Sequence, residues 1–210
     1  MNEVLVGLSV VFLCLGVHSA WKREFGSRFD LFFFLMIGLS VVCAIAPIRH
    51  EVFEQRLARV AENLLQRPNI EVDCNSYLEG MFHLGPAGYV YQGSNVINLE
   101  IRTCRDLRGY LENPQSASYR ELWALHILTH EAMHIAGEFN EQLADCQAFQ
   151  RNHVTAALLG VPEHIAERNA VELHQKRPTH NKKYYSRECR PGGKMDERLA
   201  GAVWGDRNRY

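Results

Sequence analysis

The sequence predicts an α+β protein: an N-terminal hairpin of two apolar helices followed by a small domain in which helices outnumber strands. Three observations lead there. Residues 4–17 and 31–48 are nearly unbroken apolar runs, residues 119–136 have helical periodicity with no proline or glycine, and short alternating stretches bounded by turn residues lie between them.

The first run extends through Ser19 to Trp21, which gives two segments, about 4–21 and 31–48, long enough to cross a bilayer. A cleaved signal peptide is the alternative for the first, but Met1-Asn2-Glu3 lacks a basic n-region and a second span follows at once. The loop between the runs holds Lys22, Arg23 and Arg28, while few basic residues flank the other ends. The positive-inside rule therefore puts the loop in the cytoplasm, and residues 51–210 on the extracytoplasmic face of the plasma membrane. Cysteine usage agrees: Cys14 and Cys43 fall in the spans, leaving Cys74, Cys104, Cys146 and Cys189 where disulfides can form. We expect Cys74 to pair with Cys104, both at the ends of expected strands, and Cys146 to pair with Cys189, stapling the tail to a helix.

Beyond the hairpin, residues 51–65 read as a helix. Residues 69–74 alternate as a short strand, and 88–91 with 95–101 suggest a hairpin across Gln92-Gly93-Ser94. Leu122, Leu125, Leu128 and Ala132 form an apolar stripe on the helix over 119–136, with Ser116 or Ser118 as N-cap and Gly137 as the residue that ends it. Residues 139–159 and 162–176 read as two further helices, and 177–210, with prolines, glycines and many charges, as an irregular tail. A net charge of −1, a pI near 6.8 and the lack of a basic run give no footprint for nucleic acid.

The helix over 119–136 carries His130-Glu131-Ala132-Met133-His134. Residues four apart share a helix face, so the two imidazoles can hold one metal ion while Glu131 stands beside it as a proton acceptor. A catalytic zinc takes three protein ligands and leaves one position open. If the chain reverses at Gly137, Glu141 returns beside the two histidines and becomes the expected third ligand. Asp145, one turn on, is expected to accept the N–H of a liganding imidazole, His130 in the first instance. His126 shares the face, but it lies about 12 Å from His134 along a straight helix, too far for both to meet one ion. It reads instead as a buried, hydrogen-bonded histidine.

Residues 130–145 resemble the gluzincin zinc peptidases, in which a separate glutamate helix supplies the third ligand. They are similar to an uncharacterised group of membrane-anchored bacterial peptidases reading H-E-x-x-H-x-x-G followed shortly by Glu and a small residue, here His130, Glu131, His134, Gly137, Glu141 and Ala144. The resemblance covers roughly twenty residues plus the layout of an anchor before a catalytic domain. The metzincin pattern would place a histidine at 140, where this chain has Asn140, although Met195 leaves a distant Met-turn open.

The resemblance implies a zincin-like domain: an active-site helix and a glutamate helix with a short antiparallel sheet, whose edge strand would hold the substrate backbone. It implies Zn2+ on His130, His134 and Glu141, Glu131 as general base, and a peptide or protein as substrate. A further donor would stabilise the oxyanion, with Tyr184, Tyr185, His153 and His174 as candidates. Two alternatives stand beside it: a zinc-stabilised sensor or adaptor without catalysis, and a membrane scaffold in which H-E-x-x-H is accidental.

Overall fold

The computed structural model describes residues 2–22, 26–74 and 86–204, except the side chains of residues 2, 3, 22 and 26–30. The described residues divide into two compact units, one within residues 2–54 and the other within residues 55–204.

The first unit is built from α1 (Asn2–Lys22) and the first part of α2 (Gly26–Leu65). The two run antiparallel: Ser9 Oγ donates to the Ser40 carbonyl at 3.0 Å, and Gly16 lies against Met36 and Ile37. Valine, leucine and phenylalanine side chains along both helices stay exposed, and Val4–Trp21 and Leu31–Leu65 qualify as candidate membrane spans. Arg23 of the basic loop lies outside the described residues, as do the side chains of Lys22 and Arg28.

The helix expected over 51–65 is not separate, because α2 continues through it. Pro47 forfeits one amide donor inside α2, but no second breaker follows. His50 and Glu54, one turn apart, meet at 3.1 Å and tie the continuing turns together.

In the second unit, the last turns of α2 bury Leu57, Val60 and Ala61. Three short strands follow: β1 (Glu71–Cys74), β2 (Gly88–Tyr89) and β3 (Val96–Leu99), in the order β1-β3-β2. β2 and β3 form the expected antiparallel hairpin, turned through Gly93 at φ 83°. β1, however, pairs with β3 in parallel, so the sheet is mixed rather than antiparallel. The hairpin already occupies one side of β3, and β1 takes the edge left free. Alternation along β1 and β3 buries Val72, Cys74, Ile97 and Leu99.

After β3 comes α3 (Ile101–Glu112), a helix that the sequence reading did not propose. Its buried residues, Thr103, Cys104, Leu107 and Tyr110, recur at helical spacing. Cys104 therefore sits on this helix and not at a strand end, and it is bonded to Cys74.

A 3-10 turn (Pro114–Ser116) leads to α4 (Tyr119–Ile135), the central helix, which packs on α3, the sheet and both helices that follow. Ser118 is its N-cap: its Oγ accepts from the Glu121 amide, and the Glu121 carboxylate accepts from the Ser118 amide. At the other end Gly137, at φ 102°, lets the Glu138 amide reach back to the Met133 carbonyl at 3.1 Å.

α5 (Glu141–Leu158) returns along α4, and α6 (Glu163–Lys176) closes the core. Asn140, at the position where a metzincin would carry histidine, is the α5 N-cap, its Oδ1 accepting from the amides of Gln142 and Leu143. Described tail residues 177–204 form no helix or strand. They are pinned to α5 by the Cys146–Cys189 disulfide and by Gln150, whose Nε2 donates to the Met195 carbonyl while its Oε1 accepts from the Glu197 amide.

The Cys74–Cys104 bridge closes a loop with a sequence separation of 30. Replacing both cysteines by alanine should lower stability by about 3–4 kcal/mol through the released chain entropy. Denaturant unfolding of the full chain in detergent, with a lower midpoint, checks this. An unaltered midpoint would place the bridge outside the stabilising contacts.

Candidate metal centre

The reversal from α4 to α5 brings residues from both helices to one point. His130 and His134 project from the same face of α4, their rings 4.6 Å apart and perpendicular. Glu141 opens α5 beside them, with its Oε2 3.1 Å from His130 Nε2 and 3.5 Å from His134 Nε2. One nitrogen from each ring and one carboxylate oxygen all lie within 4.8 Å of one another. Two imidazoles and one carboxylate are a donor set suited to zinc, so the residues present fit the ion that the motif implies.

A hydrogen bond behind His134 sets which of its nitrogens faces the centre. His134 Nδ1 donates to the Glu138 carbonyl at 2.6 Å, which leaves Nε2 without a proton and turned toward Glu141. Phe139 stacks parallel on the outer face of that ring, with 5.6 Å between centroids. Asp145, expected against His130, instead makes its short contact to His126: Oδ1 is 2.9 Å from His126 Nε2 and 4.0 Å from His130 Nδ1. All three side chains are buried, and all three line the same cleft.

Glu131 is buried, and its Oε2 takes no hydrogen bond from any described residue. Burial first, and then the Glu141 charge, push its carboxyl up to about 8, with Lys183 acting the other way. The β2 backbone lies directly over it. A Cβ at Gly88 would stand 2.9 Å from Glu131 Cγ and 2.8 Å from Ile127 Cγ2, so only glycine admits this approach. Glu141 is held down to about 2, chiefly by its bond to His130 and then, against some desolvation, by Lys183. Two carboxyls at one centre thus differ in charge at neutral pH, Glu141 ionised and Glu131 protonated in the metal-free chain.

A cleft of about 430 Å³ opens in front of these groups. One wall is the stretch from Pro86 to Val90, including β2; Trp123, Ile127 and Phe139 make it largely apolar. The tail supplies the opposite wall with Asn181, Lys183 and Tyr184. Gln142 Nε2 donates to the Lys182 carbonyl at 2.8 Å, and Lys183 Nζ lies 3.0 Å from Glu141 Oε1 and 3.1 Å from the Tyr184 hydroxyl.

Of the four oxyanion-donor candidates, Tyr184 lines the cleft, its ring 5.8 Å from that of His130. The other three do not: Tyr185 lies under Arg177, His174 packs between Phe149 and Trp204, and His153 is on the far part of α5. Met195 does not line it either. Lys183 and Asn181 have no place in the sequence expectations, and Gly88 enters them only as the start of the expected hairpin strand over 88–91.

The fold and the centre define the class: a mainly helical domain with a small mixed sheet, buried groups that could hold a metal ion, and two apolar helices before it. Comparison of the chain with protein-family models, with curated proteins and with solved structures finds no match.

The buried Glu131 carboxyl generates a pH prediction for the metal-free protein. Its folded value, about 8, exceeds the unfolded one near 4.5, so unfolding releases a proton between those limits. Stability should fall as pH rises through that window, by on the order of 1.4 kcal/mol per unit from this group. Glu131→Gln removes the slope. The melting temperature of the variant minus that of wild type, both with EDTA, should grow from pH 4.5 to pH 8; a constant difference would mean that the carboxyl is not perturbed.

Proposed function

We propose that the protein is a membrane-anchored zinc metallopeptidase of gluzincin type, hydrolysing peptide bonds in an extracytoplasmic domain. The observation that carries this reading is the convergence of His130 Nε2, His134 Nε2 and Glu141 Oε2 on one point, with the Glu131 carboxyl, one oxygen of it unpartnered among the described residues, buried beside an open cleft. A zinc ion held by those three atoms would supply Lewis-acid polarisation of the scissile carbonyl and acidify the attacking water.

The chain's own groups do the rest. Glu131 accepts the proton of the attacking water and passes it to the leaving amine as the C–N bond breaks. One oxygen of the carboxyl has no hydrogen bond from a described residue, and the side chain lines the cleft, so it is placed for both directions of that transfer. The Tyr184 hydroxyl oxygen accepts from Lys183, which leaves its own proton to donate to the oxyanion. The substrate backbone lies along β2, whose other side is paired with β3, and the apolar wall of Trp123, Ile127 and Phe139 receives a side chain.

In this reading α1 and residues 31–48 of α2 span the plasma membrane as a hairpin, with Lys22, Arg23 and Arg28 on the cytoplasmic side. The two disulfides support an extracytoplasmic domain, since reducing compartments disfavour such bonds.

Glu131→Gln should retain one zinc per chain while hydrolysis of casein falls by roughly a hundredfold to ten-thousandfold. Glu141→Ala should lose the zinc itself, read by metal analysis of the purified protein. Unchanged hydrolysis by the Gln variant removes Glu131 as base; a wild-type chain that binds zinc but cleaves nothing in a broad peptide library is a structural zinc protein.

For topology, a cysteine introduced at the exposed Tyr91 should react with a membrane-impermeant maleimide in intact cells. Reaction only after lysis would reverse the orientation.

A further inference from the structure

We infer that His126 is a positioning residue for the candidate metal centre, acting through Asp145 on the back of His130; the inference rests on the metal-site reading above. His126 stands one turn before His130 on α4 and is 1% exposed. Its ring is stacked on Phe149 at 4.1 Å and flanked by Trp123 at 4.8 Å. An apolar side chain of similar size would fill such a slot without any need for polar partners. Instead both ring nitrogens are engaged.

Asn152 Nδ2 lies 3.1 Å from His126 Nδ1, and Asp145 Oδ1 lies 2.9 Å from Nε2. An amide nitrogen can only donate, so Nδ1 accepts; the ring proton is then on Nε2 and is given to Asp145. The same Asp145 oxygen lies 4.0 Å from His130 Nδ1. His126 therefore holds the carboxylate where, without a hydrogen bond to His130, its charge favours a proton on Nδ1, so that Nε2 is left to a metal ion once that ion replaces the Nε2–Glu141 contact. Asn152 and Asp145, two turns apart on α5, grip His126 from both sides, and the Asn152 contact selects the tautomer.

His126, His130 and Asp145 also bring three ligand atoms within 4.8 Å and so could hold an ion of their own. Such an ion would have to break the His126–Asp145 bond and then find His126 Nδ1 already committed to Asn152. The positioning role leaves every one of these contacts intact, and it requires one metal ion per chain.

The test compares three variants of the full chain in detergent micelles: His126→Leu, His126→Gln and His126→Asn. A glutamine amide reaches about as far as Nε2 of histidine and can donate to Asp145; an asparagine amide reaches only as far as Nδ1 and cannot. Zinc affinity is measured by competition with a chromophoric chelator, with the visible spectrum of the Co2+ form and the metal-free melting temperature alongside. The expected result is zinc bound within about threefold of wild type by the Gln variant and roughly 10–100-fold more weakly by Leu and Asn, the range for loss of an outer-shell partner.

Should His126→Leu not fold, the Gln and Asn pair decides alone. Equal affinity in wild type, Leu and Asn, or a Gln variant as weak as Asn, overturns the inference while leaving the metal site standing. Two zinc ions per wild-type chain, one of them lost in His126→Leu, overturns it in favour of a second metal. A wild-type chain that binds no zinc overturns the metal-site reading itself, and this inference with it.

Discussion

The reversal between α4 and α5 is the constraint from which the candidate centre follows. Gly137 adopts a left-handed conformation, which lets α4 end with its last carbonyls satisfied, and Asn140 then satisfies the first amides of α5. Only five residues, 136–140, separate the two helices, so the first residue of α5 must stand next to the last turn of α4. That residue is Glu141. A carboxylate at a helix N-terminus is also favoured by the exposed amides and the helix dipole, so the position suits an anionic group irrespective of what it binds. Deeper in the same seam, Thr129 donates to Thr155 at 3.0 Å and His126 bridges Asp145 and Asn152, which sets the register of the two helices.

Burial then separates two otherwise similar side chains. Glu131 lies under β2 with an unpartnered oxygen, while Glu141, at the rim, has His130 on one side and Lys183 on the other. An unsatisfied buried carboxyl opposes folding, and a glycine at 88 that admits it gives up strand stability as well. The surrounding core of α3, α4, α5 and α6 is what tolerates them.

The tail matters because irregular backbone can deliver side chains where no helix or strand passes. Residues 177–204 have little core of their own beyond Val203 and Trp204, and they are held by Cys189, by Gln150 and by an Arg151–Glu197 ion pair. This attachment carries Lys183 and Tyr184 to the open side of the cleft. The disulfides consequently bear on the site as well as on stability, one at the sheet and one under the tail.

The local features were legible in the sequence. Capping by Ser118, termination at Gly137, the β2–β3 hairpin and the two apolar helices each depend on residues close together in the chain or on simple pattern, whereas the expected Cys74–Cys104 pairing formed although Cys104 lies on a helix and not at a strand end. The closeness of His130, His134 and Glu141 belongs with them, because a four-residue helical repeat and a short turn leave little freedom. α3 is not legible in the sequence because its charged residues hide a buried stripe of only four side chains, one of them Thr103. What the tertiary structure alone decided was which distant groups meet: β1 parallel to β3, Gly88 over Glu131, Asp145 on His126, Lys183 on Glu141. Each of these contacts depends on how whole elements pack. Side-chain periodicity along one element says which face is buried, but nothing about which neighbour that face will find.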